Sequence, residues 1–104
     1  MWNEQKIKEI VESSPVVVFA KGTRDMPMCG FSARAIDILN RFGKPYEVVN
    51  IFDDPEIKPA LVKFSGWPTT PQVFIRGELI GGSDIAMELF ESGELKTKID
   101  AAYA

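Results

Sequence analysis

Five consecutive apolar residues, Val16-Val17-Val18-Phe19-Ala20, are too few for a helix of ordinary length and do not alternate with polar ones. A β-branched run of this kind belongs to a strand buried on both faces, at the centre of a sheet that carries helices on each side. The chain has 104 residues, the size of one ordinary domain, so residues 1–104 are read as a single unit. The predicted class is therefore α/β.

The segments around this run fill in the order. Asn3 is placed to cap a helix in which Ile7, Ile10 and Val11 recur at helical spacing, until Ser13-Ser14-Pro15 breaks it. After a loop from Lys21 to Met28 comes a helix with an apolar stripe of Phe31, Ala35, Ile36, Leu39 and Phe42, ending at Gly43. Tyr46 to Ile51 reads as a second strand, making a βαβ crossover with the first. Asp53-Asp54-Pro55 opens a third helix, with Asp as cap and Pro at the first position; Pro59 delays its regular part to about Lys58–Phe64. Gln72 to Arg76 and Glu78 to Ile80 form a hairpin about Arg76-Gly77-Glu78. Ser83 and Asp84 then cap a helix ending at Gly93, and a last helix runs from Glu94 to Ala102. The expected order is αβαβαββαα, with one four-stranded mixed sheet flanked by helices.

Composition excludes several functions. Fifteen Asp+Glu outweigh twelve Lys+Arg, a formal charge of -3, so no basic surface exists for coating a nucleic acid. The chain lacks histidine, which rules out an internal Ser/His/Asp or Cys/His catalytic set and any imidazole metal site. With Cys29 as its one cysteine, the chain cannot close an internal disulfide or supply the four thiolates of an iron-sulfur cluster. No apolar run approaches the roughly 20 residues of a membrane span, and MWNEQKIKEIVES has no signal-peptide core. The expectation is a soluble, cytosolic protein without membrane or nucleic-acid partners, or an organelle-matrix one where a transit peptide has been removed.

Cys29 carries the chemistry. It falls at the N-terminus of the helix beginning at Gly30, where free backbone N–H groups favour a thiolate, with Lys21 at the end of the first strand as the neighbouring cation. Active sites of open α/β sheets lie at the carboxyl ends of strands, where this residue is placed. A lone cysteine can equally be a small buried hydrophobe. Phe31 has two readings, core residue or site wall, and so has Trp67. Ser83 and Asp84 can serve as simple helix caps or as receptors for a ligand's carboxylate and ammonium groups, roles that do not exclude each other.

Three segments, KGTRDMPMCGFS, WPTTPQVFI and IGGSDI, in this order and at these separations, closely resemble the monothiol glutaredoxins of the CGFS type over nearly the whole chain. The resemblance implies a thioredoxin-like (glutaredoxin) fold, consistent with the element order. Dithiol relatives have a second cysteine where this chain has Ser32, whose hydroxyl cannot resolve a mixed disulfide. The loop of eight positions from Lys21 to Cys29 is also a feature of the CGFS class. Thr70-Pro71, by its sequence an ordinary turn with trans proline, resembles the family's cis-proline turn facing the cysteine. That geometry would present the Thr70 backbone to an extended peptide-like ligand.

The ligand so implied is glutathione, its γ-glutamyl end at Gly82-Ser83-Asp84, its glycine carboxylate at Lys21 and Lys58, with Thr70, Pro71 and Phe31 completing the site and Cys29 beside its sulfur. Two departures from many relatives stand out: Lys58 replaces an Arg and so forfeits a bidentate carboxylate clamp, and Ser83 replaces a Cys. The resemblance also implies a homodimer bridged by a [2Fe-2S] cluster, with Cys29 as the metal ligand of each chain and two glutathiones supplying the other sulfurs. The function expected is a cluster carrier, active in iron-sulfur assembly and iron homeostasis, with apo iron-sulfur proteins as clients and BolA-type proteins as heteropartners. The alternative is a glutathione-dependent thiol-disulfide oxidoreductase acting on protein mixed disulfides. An interaction module with an incidental thiol is a third reading. Phe31, Trp67 and the Gly81-Gly82 turn are expected to form a partly exposed patch around the sulfur.

Overall fold

All five residues of the apolar run are buried, and the computed structural model, which describes residues 1–104, places them in strand β1 (Val16–Ala20) with helices on both sides. Helix α1 (Glu4–Glu12) precedes it, and α2 (Gly30–Asn40) leads to β2 (Glu47–Asn50), which pairs in parallel with β1. A 3-10 turn, Ile51–Asp53, precedes α3 (Ile57–Ser65). Strands β3 (Gln72–Ile75) and β4 (Glu78–Gly81) form the antiparallel hairpin, followed by α4 (Ser83–Ser92) and α5 (Glu94–Ala102). The sheet order is β2-β1-β3-β4, with β1 antiparallel to β3.

The period of two along β1 divides the core. Val16, Val18 and Ala20 pack with Ala35, Ile36, Leu39, Ala86, Leu95 and Ile99 beneath α2, α4 and α5. Val17 and Phe19 pack on the other face with Ile7, Val11, Ile57, Leu61 and Phe74 beneath α1 and α3. This is a three-layer α/β/α sandwich.

Several boundaries differ from the sequence reading for local reasons. Helix α2 stops at Asn40, and its chain continues through a turn to Gly43. Strand β2 is shorter than expected because Asn50 Oδ1 accepts from the Phe52 N–H (3.0 Å) and tightens the backbone into the 3-10 turn. Pro55 lies before α3 and not at its first position, since Asp54 Oδ1 accepts from Glu56 N–H (2.8 Å) in a turn of its own. Pro59 is then the third residue of α3, in the first turn, where no intrahelical N–H donor is needed. Arg76 leaves the strand: it takes a left-handed φ of 53° ahead of Gly77, as a two-residue hairpin turn requires.

Candidate functional site

The thiol is placed by a helix cap. Cys29 has extended backbone (φ -156°, ψ 148°), and its Sγ accepts from the Ser32 N–H at 3.5 Å, making it the N-cap of α2. The half-buried thiol is held below the ordinary thiol pKa. The backbone N–H of Ser32 contributes most, against a smaller opposing effect of burial; the Ser32 hydroxyl, the Phe31 N–H and the charge of Lys21 add less. Both expected influences act, and the helix end dominates the lysine.

The loop before Cys29 is tied at both ends. Met28 N–H donates to Lys21 C=O (2.8 Å), Lys21 N–H donates to the Ser32 hydroxyl (3.0 Å), and Gly22 N–H donates to Asn50 Oδ1 (3.0 Å). Gly22 has a φ of 96°, and a Cβ there would lie 2.4 Å from the Met26 carbonyl oxygen and 2.7 Å from the Met28 nitrogen. Only glycine lets the loop fold back this closely. Ser32, fully buried, thus joins the strand end to the helix start.

Opposite this helix start, Thr70-Pro71 is a cis peptide bond, as the resemblance implied. Gln72, also fully buried, donates through Nε2 to the carbonyls of Trp67 (2.9 Å) and Thr69 (3.0 Å) and so ties the turn to the head of β3. A Cβ on Gly82 would stand 3.2 Å from the Pro71 carbonyl oxygen, so the start of α4 lies directly against this turn.

Between these elements lies a cleft of about 330 Å³, lined by residues that include Lys21, Phe31, Lys58, Thr70, Pro71, Gly82, Ser83 and Asp84. Every proposed ligand-binding residue except Cys29 is in that lining; Cys29 stands between its flanking contributors Lys21 and Phe31 in sequence. Trp67, Thr69 and Ile85 complete the wall. Two ammonium groups, a carboxylate and a helix N-terminus thus converge on one groove with apolar walls.

Some expectations are corrected. Phe31 is 61% exposed and is not part of the core stripe of α2, which consists of Ser32, Ala35, Ile36, Ile38 and Leu39. Trp67, expected with Phe31 in a partly exposed patch, is at the surface of the cleft. Met26 and Met28 in the loop before Cys29 are also exposed, whereas Gly81 is buried. Ser83 and Asp84 do not cap α4 with their side chains: Gly82 is the N-cap, and both side chains turn to Arg34 of α2. Arg34 Nε donates to Ser83 Oγ (2.6 Å), and its Nη2 pairs with Asp84 Oδ1. The sequence reading missed Arg34; the available signal was its position three residues after Phe31, one turn along the same helix face.

The parallel and antiparallel halves of the sheet, the helix-capping thiol and the cis-proline turn define a thioredoxin-like protein. Residues 16–80 match the Glutaredoxin family model. A monothiol glutaredoxin of the ycf64-like type from Synechocystis is 44% identical over 99 residues, 95% of this chain and 92% of that protein. The chloroplastic monothiol glutaredoxin-S14 of Arabidopsis thaliana is 45% identical over 96 residues, 92% of this chain and 56% of that longer protein. The crystal structure of a buckwheat glutaredoxin-glutathione complex superposes with a TM-score of 0.85 at 32% identity, covering 97% of this chain and 90% of that one. The chain belongs to the glutaredoxin family, in its monothiol branch with the CGFS sequence at Cys29–Ser32.

The depressed thiol has a direct consequence. The second-order rate of Cys29 alkylation by iodoacetamide should rise with pH to a midpoint below that of free cysteine, about 8.5. Ser32→Ala should move the midpoint upward only in part, because the main donor is backbone. A wild-type midpoint at or above that of free cysteine overturns this. The linked stability has the corresponding sign: it is present above the ordinary thiol pKa and lost as pH falls through the lower folded value.

Proposed function

We propose that this monothiol glutaredoxin binds glutathione in the cleft and carries [2Fe-2S] clusters, as cargo, to apo iron-sulfur proteins. The observation carrying the reading is a single partly exposed, thiolate-favouring sulfur beside a groove with complementary charges for a zwitterionic peptide. Lys21 and Lys58 suit the glycine carboxylate. The backbone of Thr70 suits the cysteinyl unit, and the start of α4 with Asp84 suits the γ-glutamyl group. The buckwheat relative's complex with glutathione supports this choice of ligand.

The donor set fits a cluster only if it is shared. No group of three or more His, Cys, Asp or Glu in the chain is arranged to hold a metal ion, and Cys29 is the one thiol. Two chains with two glutathiones give the four thiolates a [2Fe-2S] cluster ordinarily takes. Exposed Phe31 and Met28 on either side of Cys29 leave its surroundings open to a second copy, a client or a BolA-type partner. Half the ligands being small exchangeable molecules, the cargo is released readily, as a role in cluster assembly and iron homeostasis requires. The working compartment is the cytoplasm or an organelle matrix. No helix is long and apolar enough to cross a membrane, and one relative is chloroplastic.

Anaerobic reconstitution with iron, sulfide and glutathione should give visible cluster absorption and a dimer that reverts to monomer when iron is chelated. Omitting glutathione should abolish both. No cluster, together with rapid removal of glutathione from protein mixed disulfides, would instead establish the oxidoreductase reading, which the same thiolate supports.

A further inference from the structure

Arg34 joins the two helices whose N-termini meet at the cleft. Its Nε donates to the Ser83 hydroxyl and its Nη2 pairs with one oxygen of Asp84. Ser83 is 4% exposed and lines the cleft. A hydroxyl has one hydrogen to donate and lone pairs to accept with. Here Arg34 occupies the accepting side, and no acceptor in the chain takes the hydrogen. A buried donor without an acceptor is costly, which makes Ser83 a ready partner for an incoming oxygen. Asp84, whose side chain is 81% exposed, keeps its second oxygen for a ligand, and the guanidinium offsets its negative charge toward an approaching anion.

We infer that Arg34 is a positioning residue that dedicates the Ser83 hydroxyl to donation and screens Asp84, so that the start of α4 selects ligands with a carboxylate next to an ammonium group. This inference rests on the glutathione reading of the cleft and deepens it by assigning the recognition of the γ-glutamyl carboxylate to a residue of α2. The partner chemistry is an α-amino acid end group, not an anion in general.

The test compares two ligands by calorimetry on the reduced protein: glutathione, and 4-aminobutyryl-cysteinyl-glycine, which lacks only the γ-glutamyl carboxylate. Arg34→Met should lower the ratio of the two affinities about tenfold, because the Ser83 hydroxyl is then free to turn away and the Asp84 charge is left unscreened toward the carboxylate. Ser83→Ala should reduce the same ratio, and Arg34→Lys, which keeps the charge, should lie between Arg34→Met and wild type. A purely structural role for Arg34 weakens both ligands alike and leaves the ratio unchanged; that result overturns the inference, as does an unchanged affinity for both. Wild-type protein that fails to bind glutathione at all fails the reading of the cleft itself, and the assignment of Arg34 falls with it.

Discussion

Cys29→Ser is expected to abolish cluster assembly and mixed-disulfide formation with glutathione completely, while leaving the fold at least as stable. The two halves of this expectation have separate causes. The cysteine sulfur accepts the Ser32 N–H at 3.5 Å as the cap of α2, and serine is among the preferred residues at that position. Its oxygen is smaller and a stronger acceptor, so the helix start survives the exchange. The chemistry does not survive it. Attack on oxidised glutathione needs a thiolate, which forms the new sulfur–sulfur bond and expels a glutathione thiolate carrying the electron pair of the broken one. A serine hydroxyl is a weak nucleophile without an adjacent base, and the chain has no histidine. Nor does any other thiol exist to replace the proposed metal ligand. Absorption after reconstitution, intact mass after exposure to oxidised glutathione, and Tm measure the three consequences. A cluster retained in Cys29→Ser sinks the carrier model, and a Tm lower by more than about 5 °C sinks the capping argument, since that corresponds to roughly 1 kcal/mol in a domain of this size.

The parts of this molecule legible in its sequence are those set by short-range physics. Val16–Ala20 announces a doubly buried strand because nothing polar interrupts it, and the structure buries all five residues. Asn3 caps α1 as expected, its Oδ1 accepting from Lys6 N–H at 2.9 Å. The placement of Cys29 followed from the loop-to-helix transition at Gly30. What required the structure is what depends on partners far along the chain. Helical spacing put Phe31 on the same stripe as Ala35, yet Phe31 is at the mouth of the cleft, and buried Ser32 takes its place in the helix's inward face. Ser83 and Asp84 have the chemistry of helix caps, but Arg34, 49 and 50 residues away respectively, claims both. No local pattern distinguishes a cap from a tertiary ligand when both use the same side-chain atoms. The cis form of Thr70-Pro71 was anticipated through family resemblance alone, with no residue-level reason to prefer it.

Phe74→Ala is expected to cost about 3–5 kcal/mol, the usual range for deleting a fully buried phenylalanine. Phe74 is 1% exposed on β3, which lies between β1 and β4 in the sheet. Its ring meets Phe19 of β1 edge-on at 5.7 Å and Phe64 of α3 at 6.1 Å, so truncation removes two aromatic contacts as well as apolar burial. Phe19 and Phe64 line the void from different elements: a sheet strand hydrogen-bonded to its neighbours and a helix packed on its face. The strand cannot move without breaking its ladder, so the cavity closes poorly, and the upper part of the range applies. Against a total stability on the order of 5–15 kcal/mol for a domain of this length, a loss of about 4–5 kcal/mol is roughly a quarter or more. Tm should fall by at least about 16 °C, at 4 °C per kcal/mol for about 4 kcal/mol. The functional consequence follows from connectivity. Gln72, two residues earlier on the same strand, holds the carbonyls of Trp67 and Thr69, so loosening β3 loosens the wall that carries Thr70 and Pro71. Hydrogen exchange in the variant should therefore quicken at residues 67–72 before it does in α2, whose inward face packs in the other half of the core. A Tm drop below about 5 °C would show that α3 settles into the gap. Equal loss of protection on both faces of the sheet would show instead that the two halves of the core unfold as one.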